Sequence, residues 1–337
     1  MTAPLIRVGV IGVGNIGTAH AENLATAVAG STVTAVYDFD AARARHVAGG
    51  IGAVAVDSVE ALISHPEVDA IVIASPDGMH AEQALACIAA GKPTLCEKPL
   101  APELENAQRV MDAEITLGRR LITMGFMRRF DPGYVQLKAE LDSGVVGDPL
   151  LVHCVHRNQA PAPGQTSAKS LTNAVVHEID INRWLLDDEY TSVQIMSGIP
   201  SKYAEGDLRD PLLVFLRTTR GVLVEVEFFV NGRYGYEIRC EIVATEGSLH
   251  MGDGSFISSA KERLIGRSVP EQWLGRFGEA YRLEMQAWID GLRAGRVCSP
   301  SAWDGYTATA VANACIAALD TDGSVQVELP ECPALYR

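Results

Sequence analysis

LIRVGVIGVGNIGTAHAENLATAV, residues 5–28, places three signals in succession. The run 5–11 reads as a buried parallel strand, and the alanine-rich stretch 16–29 reads as a helix. Between them lies Gly12-Val13-Gly14-Asn15-Ile16-Gly17, a G-x-G-x-x-G at the mouth of the helix. Gly12 permits the tight turn, Gly14 lets backbone approach a pyrophosphate, and Gly17 allows the helix to pack closely on the strand. The helix N-terminus favours anionic phosphates. Asp38 stands 21 positions after Gly17, at the end of a second strand over 31–38. A carboxylate there accepts hydrogen bonds from ribose hydroxyls and repels a 2′-phosphate. Phe39 rather than a basic residue follows it, so the reading is NAD over NADP.

Outward from this unit the alternation continues. Strands are expected at 68–75, 92–97 and 120–125, with helical patterns between them, which predicts a doubly wound parallel Rossmann sheet over residues 1–125. From residue 126 the pattern changes. A helix near 134–142 stops at Ser143-Gly144, a strand covers 150–156, a polar loop covers 158–170, and a helix runs from 171 to 186. Strands follow at 191–197, 211–218, 222–230 and 236–244, separated by turn residues such as Thr219–Gly221 and Asn231-Gly232. Short turns between consecutive strands predict a large, open, mostly antiparallel sheet in an α+β domain over 126–337. Amphipathic segments at 279–295 and 302–319 are expected to pack back on the body.

A chain of 337 residues suits two domains. Lys+Arg 28 against Asp+Glu 42 gives a net charge of −14, and without a Lys/Arg cluster this disfavours nucleic acid and suits a neutral or cationic small ligand. Seven scattered cysteines without C-x-x-C spacing suggest neither a disulfide framework nor a zinc site. No basic segment followed by an apolar run opens the sequence, and no apolar run reaches 18 residues, so the expectation is a cytoplasmic protein without a membrane span.

Glu97-Lys98-Pro99 closes a parallel strand, at the rim where open α/β sheets bind ligands. An ammonium there can hold a substrate hydroxyl and stabilise developing negative charge. With the glycine fingerprint, SPDGMH (75–80), GKPTLCEKPL (91–100), MGFMRRFDPGY (124–134), HCVHRN (153–158), HEIDINRWL (177–185) and RYGYEIRCEIVATEG (233–247), the chain resembles the glucose-fructose oxidoreductase / inositol dehydrogenase / MocA family over nearly its whole length. The resemblance implies that Asn15, Ile16, Ser75, Pro76, His80, Glu97 and Lys98 join Gly12, Gly14, Gly17 and Asp38 around NAD. It also implies that Lys98 and His177 face the nicotinamide. His177 would take a hydroxyl proton, for which an imidazole near its unperturbed pKa of about 6.5 is suited at pH 7, while Lys98 orients that hydroxyl. Arg128, His156, Asn158, Asp180 and Tyr236 match positions that line the polyol pocket of inositol-type members, so a cyclic polyol or sugar is the implied substrate. Odd spacing puts His153 and His156 on opposite faces of a strand, and only His156 is carried over. Tyr234 and Tyr236 share a face on the same reading, which leaves the choice between them open. Family members commonly form dimers or tetramers through the open sheet, and a homotetramer is expected, with a homodimer as the alternative.

One position departs from the family. Inositol dehydrogenases place an aspartate four residues before the catalytic histidine, where this chain has Asn173. A carboxylate beside an imidazole raises its pKa, whereas an amide orients the ring without charge. Three readings stay open: greater reliance on Lys98, a different polyol, sugar, aminocyclitol or keto-inositol handled in either direction, or a catalytically weakened NAD-binding regulatory protein.

Overall fold

The computed structural model describes residues 4–252 and 258–337. These form two compact units. One comprises residues 1–126, 281–309 and 330–337, and the other residues 127–280 and 310–329. The first unit therefore regains chain from the C-terminal third, which a division into two contiguous segments does not anticipate.

In the first unit, β1 (Ile6–Ile11), β2 (Ser31–Tyr37), β3 (Val54–Ala55), β4 (Ala70–Ile73), β5 (Thr94–Glu97) and β6 (Ile122–Gly125) form a parallel sheet in the order β3-β2-β1-β4-β5-β6. Helices α1 (Asn15–Thr26), α2 (Ala41–Ile51), α3 (Val59–Ile63), α4 (His80–Ala89) and α5 (Leu104–Leu117) connect successive strands. β4, β5 and β6 are buried at every position, as expected of parallel strands covered on both faces. Asp40 starts α2 by accepting hydrogen bonds from the Ala42 and Arg43 backbone N–H groups. The core of Val8, Val10, Leu24, Val36, Val72 and Leu95 is completed by Met285, Trp288 and Ile289. Those three residues belong to a later helix, and they explain why 281–309 belongs to this unit.

In the second unit, α6 (Pro132–Asp142) opens on Asp131, whose carboxylate accepts the Gly133 and Tyr134 N–H groups, with Pro132 placed where a helix needs no donor. β7 (Pro149–Arg157) follows. α7 (Ser167–Ser170) and a π-helical turn at Leu171–Val175 then lead into α8 (Val176–Leu186). The helix expected from 171 thus begins with a wider turn, a feature often found near functional sites. The sheet continues with β8 (Tyr190–Ser197), β9 (Leu212–Thr218), β10 (Leu223–Phe229), β11 (Glu237–Ala244) and β12 (Ser248–Met251). A separate small hairpin pairs β13 (Ser259–Lys261) with β14 (Leu264–Gly266). Helices α9 (Trp273–Arg293) and α10 (Ala302–Ala318) follow, and β15 (Val325–Gln326) returns to the edge of the large sheet.

The large sheet has the order β12-β11-β7-β10-β9-β8-β15. It is mostly antiparallel, as expected, but β10 and β11 are not neighbours. β7 lies between them, antiparallel to β11 and parallel to β10. Asn231-Gly232 is accordingly not a hairpin turn. The Asn231 amide donates to Asp210 at 2.7 Å, the Gly232 N–H donates to the Asn158 carbonyl at 2.7 Å, and the chain crosses over the end of β7. No helix among the described residues is long and apolar enough to cross a membrane.

Candidate active site

The glycine turn of the first unit is built for close approach. Gly12 has φ +85°, and a Cβ there would lie 2.6 Å from the Ala74 carbonyl oxygen and the Ser75 nitrogen. A Cβ on Gly17 would lie 1.9 Å from the Gly12 oxygen, so helix α1 can pack here only without a side chain. Gly14 is different: the nearest atom to its added Cβ is Arg43 Nη1 at 3.9 Å, which leaves room over the turn. Gly14 is also the N-cap of α1. No side chain caps this helix and its first turn holds no acid, so its amides are available to an anion. Asn15 is exposed, and Ile16 packs partly on the core.

Asp38 is buried at the end of β2. Its Oδ2 accepts the Val13 N–H at 2.9 Å and its Oδ1 accepts the Asp40 N–H at 2.9 Å. The carboxylate therefore braces the glycine turn, and each oxygen keeps a lone pair for a ribose hydroxyl. Phe39 is exposed with the Arg43 guanidinium 5.5 Å over its ring, and Arg43 Nη1 lies 3.9 Å from Asp38 Oδ2. The absence of a basic residue at position 39 thus does not leave Asp38 without a cationic neighbour. One turn of α2 supplies it.

On the β4 rim, Ser75 donates to Gln83 at 2.6 Å, and Pro76 is exposed. His80 is buried with Nε2 2.8 Å from the Ser75 carbonyl and Nδ1 2.7 Å from the Pro99 carbonyl. It joins the two loops rather than presenting a free ring. At the end of β5, Glu97 is buried and Lys98 is half-buried. Glu97 Oε1 lies 2.8 Å from His20 Nε2, and Oε2 accepts the Lys98 backbone N–H at 3.2 Å. Burial pushes the Glu97 carboxyl up, but His20 and the Lys98 charge outweigh it and hold the group below the usual carboxylate range. The glycine turn, open anion-binding helix end and acidic β2 terminus fit a dinucleotide.

In the second unit His177 lies in the first turn of α8, 8% exposed. Asn173 lies in the preceding π turn, exposed, and its Oδ1 accepts the Thr172 hydroxyl at 3.2 Å. Arg128 and Arg129 are both buried and turn to different acids. Arg128 pairs with Glu178, and Arg129 forms a two-pronged pair with Asp180 at 3.0 and 2.5 Å. His156 Nδ1 lies 3.0 Å from Glu178 Oε2 and 3.3 Å from Arg128 Nη2. Burial lowers the His156 pKa despite Glu178 pulling it upward, so the ring is neutral at pH 7. Glu178 stays ionised: burial would raise its pKa, but Arg128 and His156 bring it below the ordinary value.

Odd spacing on β7 is realised. His156 is buried, while His153 is exposed and lies 3.1 Å from Glu225. Tyr236 packs edge-on against His156 at 5.5 Å between centroids, and burial pushes its hydroxyl up to about 12. Tyr234 does not share its face. Gly235 at φ +143° breaks the alternation and leaves Tyr234 exposed, 3.1 Å from Arg157. Asn158 is half-buried and holds its Oδ1 buried beside the His156 ring, an acceptor with a further lone pair suited to a hydroxyl. The residue that sequence reasoning passed over is Glu178, which holds both Arg128 and His156. Its signal was its place directly after His177.

The fold agrees with known proteins. Residues 6–126 match the oxidoreductase family's NAD-binding Rossmann fold, and residues 138–327 match its C-terminal alpha/beta domain, in both cases under the Gfo/Idh/MocA heading. Inositol 2-dehydrogenase 1 of Saccharopolyspora erythraea is 47% identical over 334 residues, covering 98% of this chain and 99% of that protein. Inositol 2-dehydrogenase of Klebsiella pneumoniae is 42% identical over 340 residues, covering 98% and 99%. Among solved structures, myo-inositol dehydrogenase from Lactobacillus casei in complex with NAD(H) and myo-inositol superposes with a TM-score of 0.95 at 35% identity, covering 99% of this chain and 100% of that one.

Proposed function

The chain belongs to the Gfo/Idh/MocA oxidoreductase family, and from that premise we propose that it oxidises a secondary hydroxyl of an inositol to the corresponding keto-inositol with NAD. The observation that carries this reading is the likeness over 98% of the chain to proteins named inositol 2-dehydrogenase. NAD, when bound, supplies the hydride acceptor. Asp38 holds the adenosine ribose and disfavours a 2′-phosphate, and the α1 amides hold the pyrophosphate.

His177 accepts the hydroxyl proton as the carbinol carbon loses its hydride, leaving a ketone. Lys98 donates to the same oxygen, keeps it oriented and stabilises the negative charge that develops there. Asn173 orients the His177 ring without supplying charge. Arg128, His156, Asn158, Asp180 and Tyr236 present the polyol: Asn158 Oδ1 accepts a hydroxyl, and neutral Tyr236 donates or accepts one. Glu178 and Arg129 keep Arg128, His156 and Asp180 in place.

The assembly we propose is a homotetramer formed through the open face of the large sheet. That face carries the half-exposed Leu151, Val155, Leu213, Phe215 and Phe229 among the charges of Arg157, Glu227 and Glu237, a mixed apolar and charged surface of the kind found at protein interfaces. Sedimentation at micromolar concentration showing only monomer would reject it. All seven cysteines are free thiols, which supports a cytoplasmic location. Activity itself is tested by NADH formation across inositol isomers and hexoses. The expected result is turnover of at least one inositol with NAD. Turnover of hexoses alone would move the substrate, and no NADH from any cyclitol or sugar would leave a regulatory NAD-binding protein.

A further inference from the structure

His20 is fully buried and touches the acid next to Lys98. It lies on α1, one turn after Gly17, with its ring edge-on to Tyr281 at 5.6 Å. Its Nε2 meets Glu97 Oε1 at 2.8 Å, while Glu97 Oε2 holds the Lys98 N–H at 3.2 Å. The Glu97 side chain has little freedom, because it lies over Gly125, where a Cβ would come within 3.0 Å of its carboxyl carbon. Glu284 from α9 brings a third ionisable side chain, and ligand-type atoms of His20, Glu97 and Glu284 all lie within 4.8 Å of one another. The helix whose N-terminus forms the dinucleotide turn is thus joined, by one histidine and one carboxylate, to the strand end that carries Lys98.

We propose that His20 is a positioning residue for Lys98: by holding the Glu97 carboxylate in place, it fixes the Lys98 main chain and keeps a buried negative charge on the residue next to Lys98. The inference rests on the reading that Lys98 assists the hydroxyl, but its first readout does not. The groups around Glu97 are His20 from α1, Glu284 from α9, Lys98 from its own strand end and the Gly125 backbone of β6. Loss of the His20 donor leaves a buried carboxylate poorly solvated and favours its protonated form. The negative charge on the residue next to Lys98 is then lost, and the Lys98 ammonium releases its proton at lower pH.

The test is site-resolved. The whole protein is labelled with acetic anhydride across pH 7 to 11 and Lys98 acetylation is read by mass spectrometry, which reports the Lys98 midpoint without substrate or turnover. His20→Leu should lower that midpoint by about one pH unit, and Glu97→Gln, which removes the charge at constant size, by at least as much. His20→Gln, whose amide can still donate to Glu97, should restore the wild-type midpoint. In parallel, His20→Leu should lower kcat about tenfold with KM for NAD nearly constant, and His20→Gln should recover most of it. An unmoved Lys98 midpoint in both His20→Leu and Glu97→Gln overturns the proposal, and if His20→Leu does not fold, Glu97→Gln and His20→Gln decide it. A shifted midpoint with unaltered kcat leaves the positioning role standing and refutes Lys98 as a participant in the reaction.

Discussion

Glu178→Gln removes one charge from a cluster in which Glu178 and Arg128 are each 1% exposed and His156 is 2% exposed. In the wild-type protein the carboxylate is the shared acceptor for Arg128 and for His156 Nδ1. The amide fills the same volume but presents a single acceptor and no charge, so the Arg128 guanidinium becomes a buried cation without its counter-ion. Breaking a buried pair from one side typically costs about 3 to 5 kcal/mol, far more than an exposed pair. For a unit of this size, about 1 kcal/mol corresponds to roughly 2 to 4 °C in Tm, which gives a fall of about 6 to 20 °C. Calorimetry and urea melts at pH 7 measure it. The pair is intact at that pH, because the Glu178 pKa is depressed in the folded state: its contribution is present above the unfolded value and is lost only as pH falls through the lower folded one. Adding Arg128→Met should recover much of the loss, since it removes the stranded cation. A Tm drop below about 2 °C in Glu178→Gln, or no recovery in the double variant, would refute the claim that Glu178 secures this pocket wall.

Other outcomes follow from the same geometry. Asp38→Ser with Phe39→Arg should turn preference from NAD toward NADP in kcat/KM, with Arg43 already 3.9 Å from the position of the lost carboxylate; undiminished NAD preference would sink Asp38 as the discriminating residue. Loss of the two backbone hydrogen bonds to Asp38 should also cost about 1 to 3 kcal/mol, read in a urea melt. His156 has a lowered folded pKa, so the unfolded chain takes up its proton first and stability should decline as pH falls below about 6.5, by up to about 1.4 kcal/mol per unit. His156→Gln should flatten that part of the stability profile, and an unchanged slope would show that another group sets it. Asn173→Asp should raise the His177 pKa, move the acid limb of kcat/KM to higher pH and speed oxidation above it, whereas His177→Ala should abolish most turnover in either background. Near-normal turnover in His177→Ala would place the base elsewhere.

What the sequence revealed about the fold was what neighbouring residues determine. The β1-turn-α1 unit was legible because strand, glycine turn and helix follow one another directly, with Gly17 held small by the nearby Gly12 oxygen, even though Gly12 itself is held small by distant Ala74 and Ser75. The place of β7 between β10 and β11 was not legible, since a parallel pair joined through some 65 residues leaves no periodic mark, and Asn231-Gly232 looks the same whether it turns a hairpin or carries the chain over a strand end. Period-two reasoning separated His153 from His156 correctly, and failed for Tyr234 and Tyr236 because both precede β11, in a segment that Gly235 turns at positive φ. Reading only the residue after Asp38 missed Arg43, because a helical turn, not adjacency, brings it back to the carboxylate.

The same distinction governs the site. Side chains that a motif names one at a time come to rest here in buried pairs: Arg128 with Glu178, Arg129 with Asp180, His20 with Glu97. A buried charge is tolerable only with its partner, so each residue proposed to meet a ligand brings an obligatory second residue with it. That is why Arg128 and Arg129, adjacent and chemically alike, are not interchangeable: each answers to a different acid of α8, one before and one after Ile179. Asn173 differs in being exposed on a π turn, where it accepts the Thr172 hydroxyl. An exposed position can exchange an acid for an amide without stranding a buried charge, whereas the same exchange at Glu178 or Asp180 would. The departure from the family's aspartate therefore falls at a place where the exchange strands no buried charge.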